Sequence, residues 1–487
     1  MNTLGHIQDN DSFTKYLHLA LCLGLGGICI SLSFYNLPLF GCIALLPIII
    51  VAALSLLRYP WAILLLIYVV NYFIMGFNRY IPIEGISVVM DILYVLAAIL
   101  ILIHSTLYRN IDWKKAVHTL TITSCIWAGY CILEFINPTA STQGWILSRS
   151  LIFSGLIITV ITSLLCTQYR IVKTLLFTLS ILTLLAIIKA LIQKFCGFDA
   201  YETTWLNASG AKTHIIHSGI RYFSFFTDAG NMGSNMGGAC VIFGIVAFYM
   251  RSHIFRIYYS LISILALYTM FLSGTRGAMV VPLVGLALFT IVSKQTKAII
   301  SGTSLLLFIY IFFAFTTIGQ GNSMIRRMRT AFSPTEDASF NIRKENQQKL
   351  ASYLKYRPFG EGLGLSGDGL GTKVSNRFTT SIPTDSWYVK IWVETGSVGL
   401  IIYLGMVFST IGRGMWIIMF RIRDRELKGI LSGLLCGIFG LSLSAYGNSF
   451  WGQFPTMIIV FTGLSIILNG GYFDQEIENR QIQNPIL

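Results

Sequence analysis

Val172-Lys-Thr-Leu-Leu-Phe-Thr-Leu-Ser-Ile-Leu-Thr-Leu-Leu-Ala-Ile-Ile-Lys-Ala-Leu-Ile-Gln193 decides the fold class. A membrane-spanning helix needs about 20 largely apolar residues, and this stretch supplies them with only Lys173 and Lys189 carrying charge. Working outward from it, similar runs recur at 16–35, 38–57, 59–78, 87–108, 116–136, 150–168, 235–251, 255–273, 277–293, 298–318, 386–411, 429–447 and 452–471. That gives about 14 predicted spans, or 12 if the tightly joined runs at 16–57 and 255–293 merge. The chain as a whole is 54% hydrophobic and 11% charged, with a mean hydropathy of +0.69. A soluble protein carries roughly 25% charged residues, so lipid is the solvent this surface suits. The expectation is an all-α, polytopic integral membrane protein.

Two polar stretches interrupt the runs. They divide the chain into N-terminal spans (1–193), a shorter loop (194–234), central spans (235–318), a long loop (319–385) and C-terminal spans with a tail (386–487). No internal repeat or low-complexity tract is seen. The N-terminal residues are polar with no cleavage site after a short apolar core, so the first run is expected to act as an uncleaved signal anchor. The nine cysteines lie mostly inside apolar runs and form no CxxC pair, which predicts neither a disulfide framework nor a zinc site.

A formal net charge of +14 would suggest nucleic acid in a soluble protein. Here the excess orients the spans, because Lys and Arg concentrate in cytoplasmic loops. With the N-terminus inside, the inside loops hold Arg58, Arg109, Lys114, Lys115, Arg170, Lys173, Arg251, Arg256, Lys294, Lys297, Arg413, Arg421, Arg423, Arg425 and Lys428. The short outside loops hold only Arg79 and Arg149. Both termini are then cytoplasmic and both long loops extracytoplasmic. Asp91, Glu134, Lys189, Lys390, Glu394 and Arg276 all fall toward outer helix ends. Each could snorkel to the interface, and Lys390 and Glu394 at i, i+4 could neutralise each other. Together they predict a polar cavity open to the outer face.

No Walker A, HExxH or GxSxG sequence is present. Gly362-Leu-Gly-Leu-Ser-Gly367 matches GxGxxG but lies in a loop without a βαβ context, so its glycines read as a tight turn rather than a dinucleotide site. The basic residues of 344–377 read as partners for phospholipid head groups. Four segments form an ordered set. They are Arg221-Tyr-Phe-Ser-Phe-Phe-Thr-Asp228-Ala-Gly230-Asn231-Met-Gly233; Leu272-Ser-Gly-Thr-Arg276-Gly-Ala278; Arg326-Arg-Met-Arg329 with Ser339-Phe-Asn-Ile-Arg343; and Pro358-Phe-Gly-Glu-Gly-Leu-Gly364 with Asp385-Ser386 and Gly396-Ser-Val-Gly399.

In that order and spacing, over about 200–400, they resemble the O-antigen polymerase and O-antigen ligase superfamily of bacterial surface-glycan assembly. The resemblance implies a GT-C-like membrane fold. It also implies transfer of a glycan from an undecaprenyl diphosphate carrier to a hydroxyl, with no metal or other cofactor. It assigns diphosphate-binding roles to Arg221, Arg276 and Arg343; we add Arg329 as a further candidate and Arg326 as a supporting one. Ligases begin the fourth motif with a histidine; here that position is Asp385, which favours a polymerase-type member.

The chemistry also stands without the family. A departing diphosphate needs fixed cations, and an attacking hydroxyl needs a base within hydrogen-bond reach. Arg276 and Asp385 are the catalytic candidates, with helix N-capping as the alternative role for Asp385. Lys390, Glu394 and His217 are supporting candidates, and His214 is a reserve base. The expected enzyme joins lipid-linked oligosaccharide repeat units into an O-antigen, capsule or exopolysaccharide, alongside a chain-length regulator and a flippase, with no nucleic acid. The alternatives are a ligase on the same scaffold and a flippase or other transporter.

Overall fold

The computed structural model describes residues 51–483, apart from 217–218, 295, 322, 333–337 and 368. The expected run at 16–35, most of that at 38–57, and His217 therefore lie outside the described residues. The longer α-helices, numbered in chain order, are α1 (Ala62–Tyr80), α2 (Val88–Ile103), α3 (Thr119–Leu133), α4 (Gly155–Leu165), α5 (Tyr169–Phe195), α6 (Ala229–Tyr249) and α7 (His253–Leu272). They continue with α8 (Val280–Ser293), α9 (Thr296–Phe315), α10 (Ala338–Leu354), α11 (Trp387–Phe420), α12 (Arg425–Ser444), α13 (Thr456–Leu468) and α14 (Gly470–Gln483). Among the described residues the single sheet is a two-stranded antiparallel ribbon, Ile215–Ile216 paired with Gly219–Ile220.

The protein is an all-α polytopic membrane protein. Among the described residues nine helices are long and apolar enough to span, and a tenth if the bent pair α13–α14 is one span. The count is lower than the apolar runs suggested for three further reasons, one being that the run at 298–318 yields only the shorter apolar helix Gly302–Phe315. The run at 150–168 forms only a short apolar helix, Ser150–Leu165, and the run at 452–471 yields α13, after which the chain turns by 54° into the polar α14.

The chain divides into two compact units, residues 1–63 with 96–110 and residues 64–95 with 111–487. In the first, the end of α2 continues as a π-helical turn, His104–Tyr108, and His104 Nε2 lies 2.8 Å from the Leu57 carbonyl.

The second unit is built around α6 and α12, both of which are mostly buried. Small residues let α12 and the helices around it approach at backbone distance, as in lipid, where no hydrophobic force drives helices together and close packing must do so. A Cβ at Gly440 would lie 2.3 Å from the Val281 carbonyl oxygen, and one at Gly285 would lie 2.9 Å from that of Cys436. Substituting either would push α8 and α12 apart.

Loops at the two ends of this bundle are tied separately. At one end Lys173 pairs with Glu426 at 2.8 Å, Arg251 with Asp424 at 2.5 Å and Arg423 with Glu478 at 3.2 Å, while Glu476 accepts the Tyr169 N–H. At the other end the Tyr222 N–H donates to the Leu272 carbonyl, the Trp387 N–H to the Ala445 carbonyl and the Ser444 hydroxyl to the Gly277 carbonyl. There, α10 of the long loop lays Leu350 and Leu354 on Ile382, Val389 and Val393.

Among the described residues, most of the six charges expected at outer helix ends have a close polar partner. Asp91 pairs with Arg149 at 2.8 Å, Lys189 pairs with Asp199 and Glu202, and Glu134 accepts from Asn137. A charge that has left water needs a hydrogen-bonding or oppositely charged partner close by, and these residues find one locally. Lys390 and Glu394 also pair, at 3.7 Å, and of the six only Lys390 lines a cavity described below.

Candidate functional site

Arg221 sits just after the ribbon, and its guanidinium is held by three neutral oxygens. Nε donates to the Ser273 carbonyl at 3.2 Å, and the two Nη atoms donate to the Thr213 carbonyl at 2.9 Å and the Thr275 hydroxyl at 2.8 Å. The turn that receives it depends on Gly274. Its φ is +58°, and a Cβ there would lie 3.3 Å from Arg221 Cγ and 3.7 Å from Arg327 Nε. Glycine adopts this backbone without strain and leaves room for both arginines.

Arg276 begins the next turn and donates to the Thr330 hydroxyl at 2.9 Å. Burial lowers the pKa of the Arg221 guanidinium; Asp228 opposes this, and the positive fields of Arg276 and Arg343 lower it further. Arg276 and Arg343 are thus near enough for Arg221 to feel both.

Arg327 also reaches this cluster and was not among the expected site residues. It lies in the helix Ser323–Arg329, where three arginines point in different directions. Arg326 is exposed. Arg329 turns to the end of α9, donating to the Ile318 carbonyl at 2.6 Å and lying over the Phe312 ring. Helical periodicity separates the three faces, but sequence does not say which face meets Gly274.

The segment from Arg221 to Gly233 is clamped from several sides. Arg79, at the end of α1, donates to the carbonyls of Ser224, Phe226 and Thr227 and stacks on Trp205 and Phe223. The Gln193 side-chain oxygen accepts the N–H groups of Phe223 and Ser224. Asp228 caps α6, accepting from the N–H groups of Gly230 and Asn231. His214 is buried. Its Nδ1 faces the Gly210 carbonyl at 2.9 Å and its Nε2 accepts the Ala229 N–H at 3.2 Å, so the neutral ring is wedged under the start of α6. Burial lowers its pKa. This arrangement makes His214 a structural brace, with neither nitrogen facing open solvent.

The fourth motif has one mechanical cause. Helix α11 breaks at Gly396, whose φ is +67° and ψ −171°. The break frees carbonyls that the glycine-rich strand then satisfies. The Glu361 N–H donates to the Val393 carbonyl and the Gly362 N–H to the Glu394 carbonyl. The approach is so close that a Cβ on Gly396 would lie 1.9 Å from the Pro358 oxygen. On the other side, a Cβ on Gly364 would lie 2.6 Å from the Gly144 oxygen. The GxGxxG match is thus a strap between two backbones. Beneath it, Ser366 donates to the buried Glu394 carboxylate at 2.6 Å.

Two basic residues of the long loop are used to fasten the fold. Arg357 and Arg377 meet the buried Glu361 at 2.5 and 3.0 Å, and the Tyr353 hydroxyl donates to the same carboxylate.

The cap of α11 is Ser386, whose hydroxyl accepts the Val389 N–H. Asp385 stands one residue earlier with φ +49° and an exposed side chain, so the capping role expected for it falls to its neighbour. Asp385 and Lys390 line a cavity of about 440 Å³, together with Ser148, Asn448 and Gln453.

One turn, 444–449, joins the two halves of the site. Ser444 holds the Gly277 carbonyl beside Arg276, Ala445 accepts from Trp387 two residues after Asp385, and Asn448 presses on Gly230. Arg276, the start of α6 and the Asp385 cavity therefore share one end of the bundle.

No curated protein matches the chain. Residues 261–404 match the sequence profile of the family described as O-antigen ligase. The matched stretch takes in Arg276, Arg327, Arg343, Asp385 and the Gly396 break, and ends before the 444–449 turn. Over residues 261–404 this polytopic helical protein is thus similar to the O-antigen ligase domain, consistent with the O-antigen polymerase and ligase superfamily.

Proposed function

We propose that this protein is a polymerase that joins undecaprenyl-diphosphate-linked oligosaccharide repeats into a surface polysaccharide, at the extracytoplasmic face of a bacterial inner membrane. The observation that carries the reading is the anchoring of Arg221 on the Ser273–Thr275 turn that leads into Arg276, with Arg343 close enough for Arg221 to feel it, tied through the 444–449 turn to the Asp385 cavity. The end of the bundle holding Lys173, Arg251 and Arg423 is the one rich in short basic loops, which supports a cytoplasmic placement for it. The arginine cluster, at the opposite end, then faces outward.

The acceptor hydroxyl gives its proton to the Asp385 carboxylate as its oxygen bonds to the anomeric carbon of the donor sugar. The bond from that carbon to the carrier diphosphate breaks, and its electron pair leaves with the diphosphate. The guanidiniums stabilise the charge that gathers there. The 440 Å³ cavity holds acceptor and donor in register, which removes entropy from the barrier.

The test is made in the native host. Arg276→Ala and Asp385→Ala should each abolish long polysaccharide ladders at normal protein levels, and unchanged ladders would refute the assignment. The family description favours a second reading, a ligase that passes a finished glycan to another acceptor. A deletion strain separates the two. A polymerase mutant still attaches a single repeat, and a ligase mutant attaches none. Movement of lipid-linked sugar across liposomes without a new glycosidic bond would favour transport instead.

A further inference from the structure

The end of the bundle opposite the arginine cluster carries a second basic cleft, which the glycan chemistry does not use. It arises from the 54° turn between α13 and α14. Because α14 swings across the bundle end, a cleft of about 660 Å³ opens between it and the last turns of α11. Its apolar wall is formed by Trp416, Ile417 and Phe420 on α11 and by Leu468 across the gap. Trp416 and Phe420 are exposed.

The polar wall has a particular charge arrangement. Asp474 accepts the backbone N–H groups of Arg423 and Asp424, and Glu478 pairs with Arg423 at 3.2 Å. Both acids are thereby engaged. Arg413 and Arg421 instead lie over the Trp416 ring, their guanidinium carbons 4.4 and 5.2 Å from its centroid. Among the described residues neither has a carboxylate partner. Lys294 adds a further cation, 3.7 Å from the Phe420 ring centroid.

Stacking on an aromatic face restrains a guanidinium while leaving its in-plane donors directed outward. Two such forks beside an apolar wall are complementary to a ligand with an anionic phosphodiester head and a hydrocarbon tail. We propose that this cleft binds the head group of an anionic phospholipid, with an acyl chain lying along Trp416 and Phe420. Charge complementarity and the exposed aromatic wall favour that occupant over a free anion, which would need only the polar side. The site stands independently of the polymerase reading.

The full chain, purified in detergent and stripped of lipid, would be titrated with phosphatidylglycerol, phosphatidylcholine and inorganic phosphate while bound adducts are followed by native mass spectrometry. Phosphatidylglycerol should bind about tenfold more tightly than phosphatidylcholine, and phosphate alone should leave no adduct. The double variant Arg413→Ala/Arg421→Ala should lose that preference, and Arg170→Ala, an exposed arginine elsewhere, should keep it. Equal binding of the two lipids, an equally strong phosphate adduct, or an undiminished preference in the double variant would overturn the proposal. If the alanine variant does not purify, Arg413→Lys/Arg421→Lys retains charge but loses the planar fork. Its preference should fall, and a wild-type preference there overturns the proposal equally.

Discussion

Two groups of arginines at the same end of the bundle are treated in opposite ways. Arg357 and Arg377 converge on Glu361, a buried carboxylate that pairs with both. Arg221 is fixed just as firmly, yet by the Ser273 and Thr213 carbonyls and the Thr275 hydroxyl. Asp228, the acid nearest to it, has its oxygens occupied by the N–H groups of Gly230 and Asn231 and by the Thr227 hydroxyl. Neutral acceptors hold a cation in place without cancelling its field, and Arg276 and Arg343 add like charge beside it. The first arrangement is how a loop is fastened. The second is how a site is prepared for an anion that arrives later, since donors already in position need no reorganisation when charge develops.

The largest effect should come from breaking the second group. Arg221→Ala removes one fixed donor and should lower polymer formation by about 10²–10³-fold, the usual loss for one such donor. Arg221→Lys keeps the charge but not the fork and should fall between. Quantified ladder intensity per unit of membrane protein checks both, and a fall that merely tracks protein amount would erase the distinction between the groups.

The mirror experiment is Glu361→Gln. It leaves Arg357 and Arg377 without their shared carboxylate and should destabilise the folded protein by about 2–3 kcal/mol. That is less than the usual cost of breaking a buried pair, because both arginines are about one-third exposed. The readout is thermal unfolding in detergent, with activity per folded molecule retained. A smaller contrast of the same kind lies at the start of α11. Ser386→Ala should cost about 1 kcal/mol of stability through loss of the cap and spare activity. Asp385→Asn should do the reverse.

Much of the fold could be read from the residues alone, and the limits of that reading are physical. The spans were legible because apolar length is a property of the chain itself, and so was the separation of basic short loops from the arginine motifs. The glycines of 360–364 were legible as a turn, but not as a strap, because the break at Gly396 lies some thirty residues away and depends on contact. Asp385 and Ser386 are both favoured cap residues, and only the left-handed backbone at Asp385 chooses between them. Sequence marks Arg357 and Arg377 as basic, but their pairing with one carboxylate requires knowing that Glu361 is buried between them. Arg327 was missed because a one-residue step on a helix turns a side chain by about 100°.

The smallest predicted effect tests whether the ground under Arg221 is independent of the charge it carries. The Arg221 N–H donates to the His214 carbonyl, and His214 Nε2 accepts from Ala229 at the start of α6. A proton on Nε2 would remove that acceptor. Burial already lowers the His214 pKa; Asp228 opposes this, while Arg221 and Arg79 add to it. A histidine held below its ordinary value contributes stability that is complete above that value, about 6.5, and is lost as pH falls toward the folded-state value. Thermal stability in detergent should therefore decline below about pH 6.5, and His214→Gln, which cannot titrate, should flatten that part of the profile. If the slope survives in the variant, another group causes it. If wild type shows no slope, the ring is not the neutral brace its contacts describe, and the arginine cluster rests on something other than His214.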